Sequence, residues 1–360
     1  MSEGSAHEGD IRVNHEKLHD LGLRALRATG VPEEHARMAV DVLLCSDLRG
    51  IESHGFARFA GFYINRTREG RIKIDPNVRV VEEASSAATI DGDGGLGFVA
   101  STIAMRLAIE KADVTGVGMV SVRNSTHHGP ASPYALMALP HDMIGISMTT
   151  GGKGVTPPGS AARVYGLNAM SFAAPCRPPA PPFVLDMATS VVAAGKFEIY
   201  GRRRQPIPEG WAIDGEGRPI VGEAQQYYQG GAILPLGGDI LRGAWKGFGL
   251  GVMVDVLTSV LSDAPSSAEL GFGANHFFGA LRISAFSSVP SFYDRMDAMR
   301  QAMRAAPRLP EAGPLTFPGE PEAAMEEDYR RNGIPFHPSI LEGLKQMSDE
   351  LGIEYDLEEP

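Results

Sequence analysis

Leu18, Leu21, Ala25 and Ala28 recur at helical spacing near the N-terminus, which predicts an amphipathic helix with one apolar face. A second helix starts at Pro32, a residue suited to the first helical turn, and runs past Ala36, Val40 and Leu43. From about Asn77 the period changes. The short β-type runs VRVVE, AATID, GMVSV, IGISM and FVLD alternate with helical patterns at Phe98 to Asp113 and Met187 to Arg204, which predicts an α/β layer. Thr150 to Pro182, with TTGGKGVTPPG and PCRPPAPP, is too rich in Gly and Pro for helix and reads as loops lining a site or an interface. Phe248 to Leu261 is the most apolar helical stretch. Interrupted by Asp255 and short of the roughly 20 apolar residues a membrane span needs, it reads as a buried core helix. Helical periodicity returns after Ser291, breaks between Pro307 and Pro321, and resumes near Ser339. The expected division is helical ends, residues 11–75 and 300–360, around an α/β body at 76–299.

Composition narrows the partners. At 43% hydrophobic and 21% charged residues the chain is an ordinary globular protein, and a net charge of −11 argues against nucleic acid. The one dense basic run, Arg202-Arg203-Arg204, reads as a solvated helix end. A negative body repels anions at long range, so an anion site must be built locally from Arg, Lys or backbone N–H groups. The opening MSEGSAHEGD holds no apolar run, so neither a secretory signal nor a transit peptide is read and a cytoplasmic location without membrane contact is expected. Cys45 and Cys176 lack any CxxC spacing, which suggests neither a disulfide framework nor a zinc cluster.

Four segments carry candidate chemistry. Gly92-Asp93-Gly94-Gly95-Leu96-Gly97 is a literal GxGxxG between strand-like AATI and a helical run. The next strand, however, ends in Arg123-Asn124, with no acid to hold a ribose, so a structural turn competes with a pyrophosphate loop. In LRGIESHGFAR polar groups crowd between two apolar helices: His54 titrates near neutrality and suits proton transfer to a carbonyl oxygen, and Arg58 suits a carboxylate. The plainer alternative is a helix-capping Ser53 and a surface His54. Asn124-Ser125-Thr126-His127-His128-Gly129 follows a strand end, the usual place for ligands in α/β layers; a metal is disfavoured because no HxxxH spacing or acidic cluster accompanies the pair. FVLDMATS ends a strand in Asp186, read either as the N-cap of a following helix or as an acceptor for a ribose or a base. Trp245-Lys246-Gly247 and Leu315 to Glu320 are open to a reading as plain loops.

Together, LRGIESHGFARF, VRNSTHHG, FVLDMATS, IPEGWAIDGEGRP, WKGFGL and FPGEPE, in this order, resemble the malate/L-lactate dehydrogenase family that is distinct from the Rossmann-type enzymes of similar name. The similarity runs from about Val13 to Gly352. It implies an α/β fold with a large mixed sheet flanked by helices, a non-Rossmann NAD(P)-binding fold with a helical domain from the chain ends, usually a homodimer. It also implies hydride transfer between NAD or NADP and a small 2-oxo or 2-hydroxy acid, with no metal, and a structural GDGGLG. Carried over, the acid/base group falls on His54 with Ser53 beside it, and the carboxylate-binding arginine on Arg58. Cofactor contacts fall on His127, His128, Gly129, Pro130, Ala131, Asp186, Met187, Ala188, Lys246, Pro318, Gly319 and Glu320. The chain departs from the family where many members read GTNP, having Gly166-Leu167-Asn168-Ala169, and carries an extra GDILRGAW at Gly238 to Trp245. Where some imino-acid reductases of the family place an aspartate, Lys196 stands here, which favours a 2-oxo or 2-hydroxy acid over an imino acid. The alternatives are an imino-acid reductase, a non-catalytic nucleotide-binding homologue and a Ser/His hydrolase built on Ser53 or Ser125; no GxSxG elbow supports the last.

Overall fold

The computed structural model describes residues 7–357. In chain order it holds β1 (Ile11–Val13), α1 (His15–Ala28), α2 (Glu33–Leu48), α3 (Asn65–Arg68), β2 (Arg79–Glu83), β3 (Ala87–Asp91), α4 (Gly97–Thr115), β4 (Val117–Ser125), α5 (Ser132–Leu136) and β5 (Met143–Thr149). There follow β6 (Ala169–Ala174), β7 (Phe183–Met187), α6 (Gly195–Arg202), β8 (Ala212–Ile213), α7 (Gln225–Tyr228), β9 (Ala232–Ile233) and α8 (Ala244–Thr258). The last are β10 (Ala274–Arg282), α9 (Val289–Arg304), α10 (Glu320–Asn332), β11 (Ile334–Phe336) and α11 (Pro338–Leu351).

Seven strands form one mixed sheet in the order β2-β3-β4-β10-β5-β6-β7. Only β3 and β4 run parallel, joined by α4 as a βαβ unit. The GDGGLG segment is the turn of that unit. Asp93 and Gly94 take positive φ there, and Gly97 lets the helix start against Thr126, whose carbonyl oxygen would lie 2.0 Å from a Cβ. None of residues 92–97 lines the cavity described below. At the chain ends β1 pairs with β11 and α1 packs on α2, and one apolar cluster joins Leu18, Leu43, Phe98, Phe278 and Leu344.

Several sequence expectations are corrected. The helix expected over Met187 to Arg204 begins only at Gly195. Residues 188–194 are instead held as a loop, with the Thr189 amide on the Leu167 carbonyl at 3.0 Å and that of Val191 on the Leu234 carbonyl at 3.0 Å. Asp186 therefore does not cap the helix that follows it in the chain; its carboxyl accepts the first amide of α5 instead. Arg202 and Arg203 are not solvated: Arg203 reaches Asp10 at 3.0 Å and Arg202 reaches Glu52 at 2.7 Å, both partly or fully enclosed. Helix α8 is only half buried, with Trp245, Val252, Met253 and Val256 exposed, and Val260 and Leu261 continuing the apolar surface beyond it. Asp255 anchors its inner face, accepting from Ser267 N at 2.8 Å, Asn168 Nδ2 at 2.9 Å, Thr150 Oγ1 at 3.1 Å, and the Ser267 hydroxyl. That set of donors satisfies a buried carboxylate without a cation.

Candidate functional site

A cavity of about 540 Å³ opens where the segment after α2 meets the ends of β4, β5, β6 and β7. Its walls include Ser53, His54, Arg58, His127, Gly129, Pro130, Ala131, Asp186, Met187 and Ala188.

The first wall is shaped by Asp47 in the last turn of α2, whose carboxyl accepts the Phe56 amide at 2.7 Å. A Cβ on Gly55 would lie 2.0 Å from Asp47 Oδ1, so the residue after His54 must be glycine for the loop to close on this group. Burial pushes the Asp47 carboxyl well above the ordinary carboxylate range. Beyond Gly55 the chain coils through Phe56–Arg58 and Phe59–Ile64, which places Arg58 on the cavity and Tyr63 in the core behind it.

Ser53 Oγ lies 2.7 Å from His54 Nδ1, and the His54 and His127 rings stack with centroids 5.6 Å apart. His127 Nδ1 accepts from the Gly129 amide at 3.1 Å and lies 2.7 Å from the Tyr63 hydroxyl. An amide can only donate, so this nitrogen bears a lone pair and the proton of neutral His127 sits on Nε2. Burial, with the Arg58 charge and His128 adding to it, holds His54 down to about 3, and burial likewise holds His127 well below its ordinary value. His54 is thus a neutral imidazole across physiological pH. Arg58 spends one edge of its guanidinium on Glu198, with Nε on Oε2 at 3.1 Å and Nη2 on Oε1.

Asp186 lines the cavity from β7, next to the Gly129-Pro130-Ala131 stretch, and accepts the Ser132 amide at 2.7 Å. Burial raises its pKa while the Ser132 contacts work against that rise. Gly151 and Gly152 also border the cavity, with open space where a Cβ would stand. A carboxylate able to accept from ribose hydroxyls, beside exposed loop backbone, is a donor and acceptor set that fits a nicotinamide nucleoside. Among the described residues no group of three or more His, Cys, Asp or Glu is arranged to hold a metal.

Other expected cofactor positions lie off the cavity wall. His128 is 1% exposed and stacks on His276 at 4.5 Å behind it, with His276 Nδ1 2.8 Å from Thr149 Oγ1. Lys246 is exposed on the first turn of α8. The Pro318-Gly319-Glu320 turn is fixed to the outer edge of β7: Pro318 O accepts the Val184 amide at 3.1 Å, and Glu320 pairs with Arg304 at 2.7 Å. Sequence reasoning missed Tyr63 and Glu198 entirely, and missed Asn168 as a wall residue, although the Gly/Pro-rich region from Thr150 was marked as possible lining and supplies residues 150–152 and 167–169.

Comparison with known proteins gives a consistent picture. Residues 13–345 match the family model described as malate/L-lactate dehydrogenase. A malate dehydrogenase of Pyrococcus horikoshii is 40% identical over 98% of this chain and 99% of its own. The solved structure of malate dehydrogenase from that organism superposes with a TM-score of 0.89 at 38% identity, covering 98% of this chain and 99% of that one. A malate dehydrogenase structure from Entamoeba histolytica gives 0.92 at 30% identity, over 97% of this chain and 100% of its own. A malate/(S)-sulfolactate dehydrogenase of Methanothermus fervidus is 33% identical over 95% of this chain and 98% of its own. Relatives in this set are named for NAD+ or for NADP+.

Proposed function

The chain belongs to the malate/L-lactate dehydrogenase family and is a dehydrogenase acting on a 2-hydroxy acid, and on that footing we propose that it interconverts a small malate-type acid and its 2-oxo acid with NAD+ or NADP+, using His54 as acid and base. Bound nicotinamide would supply the hydride acceptor for the substrate's C2–H in oxidation, and the donor in reduction. His54 takes the hydroxyl proton as the C2–H bond breaks and returns it to the carbonyl oxygen in reverse. With Nδ1–H donated to Ser53 Oγ, Nε2 is left as the accepting atom. Arg58 holds the substrate carboxylate, so that proton and hydride leave from one fixed geometry. His127, with its proton on Nε2, serves as a donor beside the ring, and Asp186 accepts from ribose hydroxyls between Gly129-Pro130-Ala131 and Met187-Ala188. Contacts from Lys246 and the Pro318-Gly319-Glu320 turn require the rest of the dinucleotide to extend past the cavity; His128 acts only by backing the wall.

The observation that carries this reading is the presence of neutral His54, Arg58 and His127 on one wall of the same cavity. The malate-type substrate follows the relatives named malate dehydrogenase at 40% and 39% identity, and Lys196 on the cavity wall speaks against an imino acid. The exposed apolar face of α8 supports a homodimer, which sedimentation would report as twice the chain mass. Catalysis is tested by mixing the protein with NAD+ or NADP+ and L-malate, L-lactate or sulfolactate while following nicotinamide absorbance. Turnover of at least one acid is expected; cofactor binding without turnover of any acid would favour a non-catalytic homologue.

A further inference from the structure

Helix α6 braces the segment that carries His54 at three places. Gly195 lies so close to Ser53 that a Cβ would stand 2.6 Å from the serine Cβ. Arg202 holds Glu52 at 2.7 Å, and Glu198 takes Arg58 through both carboxylate oxygens. A guanidinium is a rigid plane with two edges able to grip a carboxylate in paired fashion. Glu198 occupies the edge made of Nε and Nη2, which leaves the end made of the two terminal nitrogens for an acid in the cavity that Arg58 lines.

We propose that Glu198 is a positioning residue that aims Arg58, fixing its guanidinium plane so that the free end meets the substrate carboxylate. This rests on the reading that Arg58 holds that carboxylate. The opposite outcome is what charge alone would give: a nearby anion weakens Arg58 as an anion receptor, so removing it should tighten binding. Here orientation outweighs charge. The Glu198 side chain is 40% exposed and its field is screened by water, whereas Arg58 is only 15% exposed and its direction decides whether a paired contact forms at all.

The test uses Glu198→Gln and Glu198→Asp in the full-length protein, each also combined with Arg58→Met. KM and kcat are measured with whichever of L-malate, L-lactate and sulfolactate is turned over fastest; cofactor affinity is followed by fluorescence and folding by the melting temperature. Glu198→Gln should raise KM about tenfold, with cofactor affinity unchanged. Glu198→Asp, which keeps the carboxylate, should recover part of the loss, and it decides the matter if the glutamine variant does not fold. In the Arg58→Met background Glu198→Gln should add nothing. A KM that falls in Glu198→Gln, or a rise of equal size in both backgrounds, overturns the positioning role and leaves the Arg58 reading intact. An unchanged kcat/KM in Arg58→Met alone would instead remove the Arg58 reading.

Discussion

The histidine pair behind the cavity should make the fold sensitive to mild acid. His128 and His276 are 1% and 0% exposed and stack at 4.5 Å, so neither accepts a proton without placing a charge away from water beside its neighbour. Burial holds His128 down to about 4, and burial, with His128 beside it, holds His276 well below its ordinary value. Unfolded histidine titrates near 6.5. Between pH 7 and pH 5 the unfolded chain therefore takes up about 0.7 proton per histidine that the folded chain refuses, and stability falls as the pH falls. Linkage gives about 2 kcal/mol for each histidine over that interval, so about 4 kcal/mol for the pair. Against a total of roughly 5–15 kcal/mol, this is a large share. Urea unfolding at pH 7 and pH 5, at one fixed protein concentration, measures it for the wild type and for His276→Gln, whose amide can still bond Thr149. The variant should lose about 2 kcal/mol less than the wild type on acidification. Equal losses in the two proteins would refute the reasoning.

Three further outcomes follow from the site. Because reduction needs protonated His54 and burial holds that group down to about 3, kcat/KM for the 2-oxo acid should fall about tenfold per pH unit between about pH 6 and 8, whereas a plateau there would place the titration elsewhere. Arg58→Met should lower kcat/KM for the acid by about 10- to 100-fold, the cost of one charge-assisted contact, while cofactor affinity measured by fluorescence stays unchanged. Gly55→Ala drives a methyl to 2.0 Å from Asp47 Oδ1; a loss of about 1–3 kcal/mol in stability is expected, with activity lost too, and a shift in melting temperature that Asp47→Ala partly reverses would show the clash as its cause.

Most strands of the main sheet were legible from the sequence; the central strand β10 was not, nor was β6, which lies inside the Gly/Pro-rich stretch that reads as loops. AATID alternates exposed or half-buried with buried positions in β3 and reads as a strand. In β10 the first seven residues are all buried and Gly279 sits among them, so no two-residue period marks the element that holds the sheet together. Residues 188–194 read as part of a helix, but Thr189, Ser190, Val191 and Val192 are weak helix formers, and hydrogen bonds to Leu167 and Leu234 hold the segment as a loop. Arg203 reads as a surface residue because its partner Asp10 is 193 residues away in the chain. In the site, His54 and Arg58 were legible because their local crowding is chemically unusual. Tyr63 and Glu198 were not: a tyrosine within an apolar run and a glutamate on a short helix carry no local signal, and each acquires a role only when folding brings it against His127 or Arg58.

The most direct measurement is turnover of His54→Ala alongside fluorescence titration of its cofactor binding. A fall in kcat of about 10² to 10⁴ with cofactor affinity retained is expected if this imidazole carries the substrate proton. Wild-type turnover in the variant would contradict that role and move the acid/base chemistry to another group on the cavity wall.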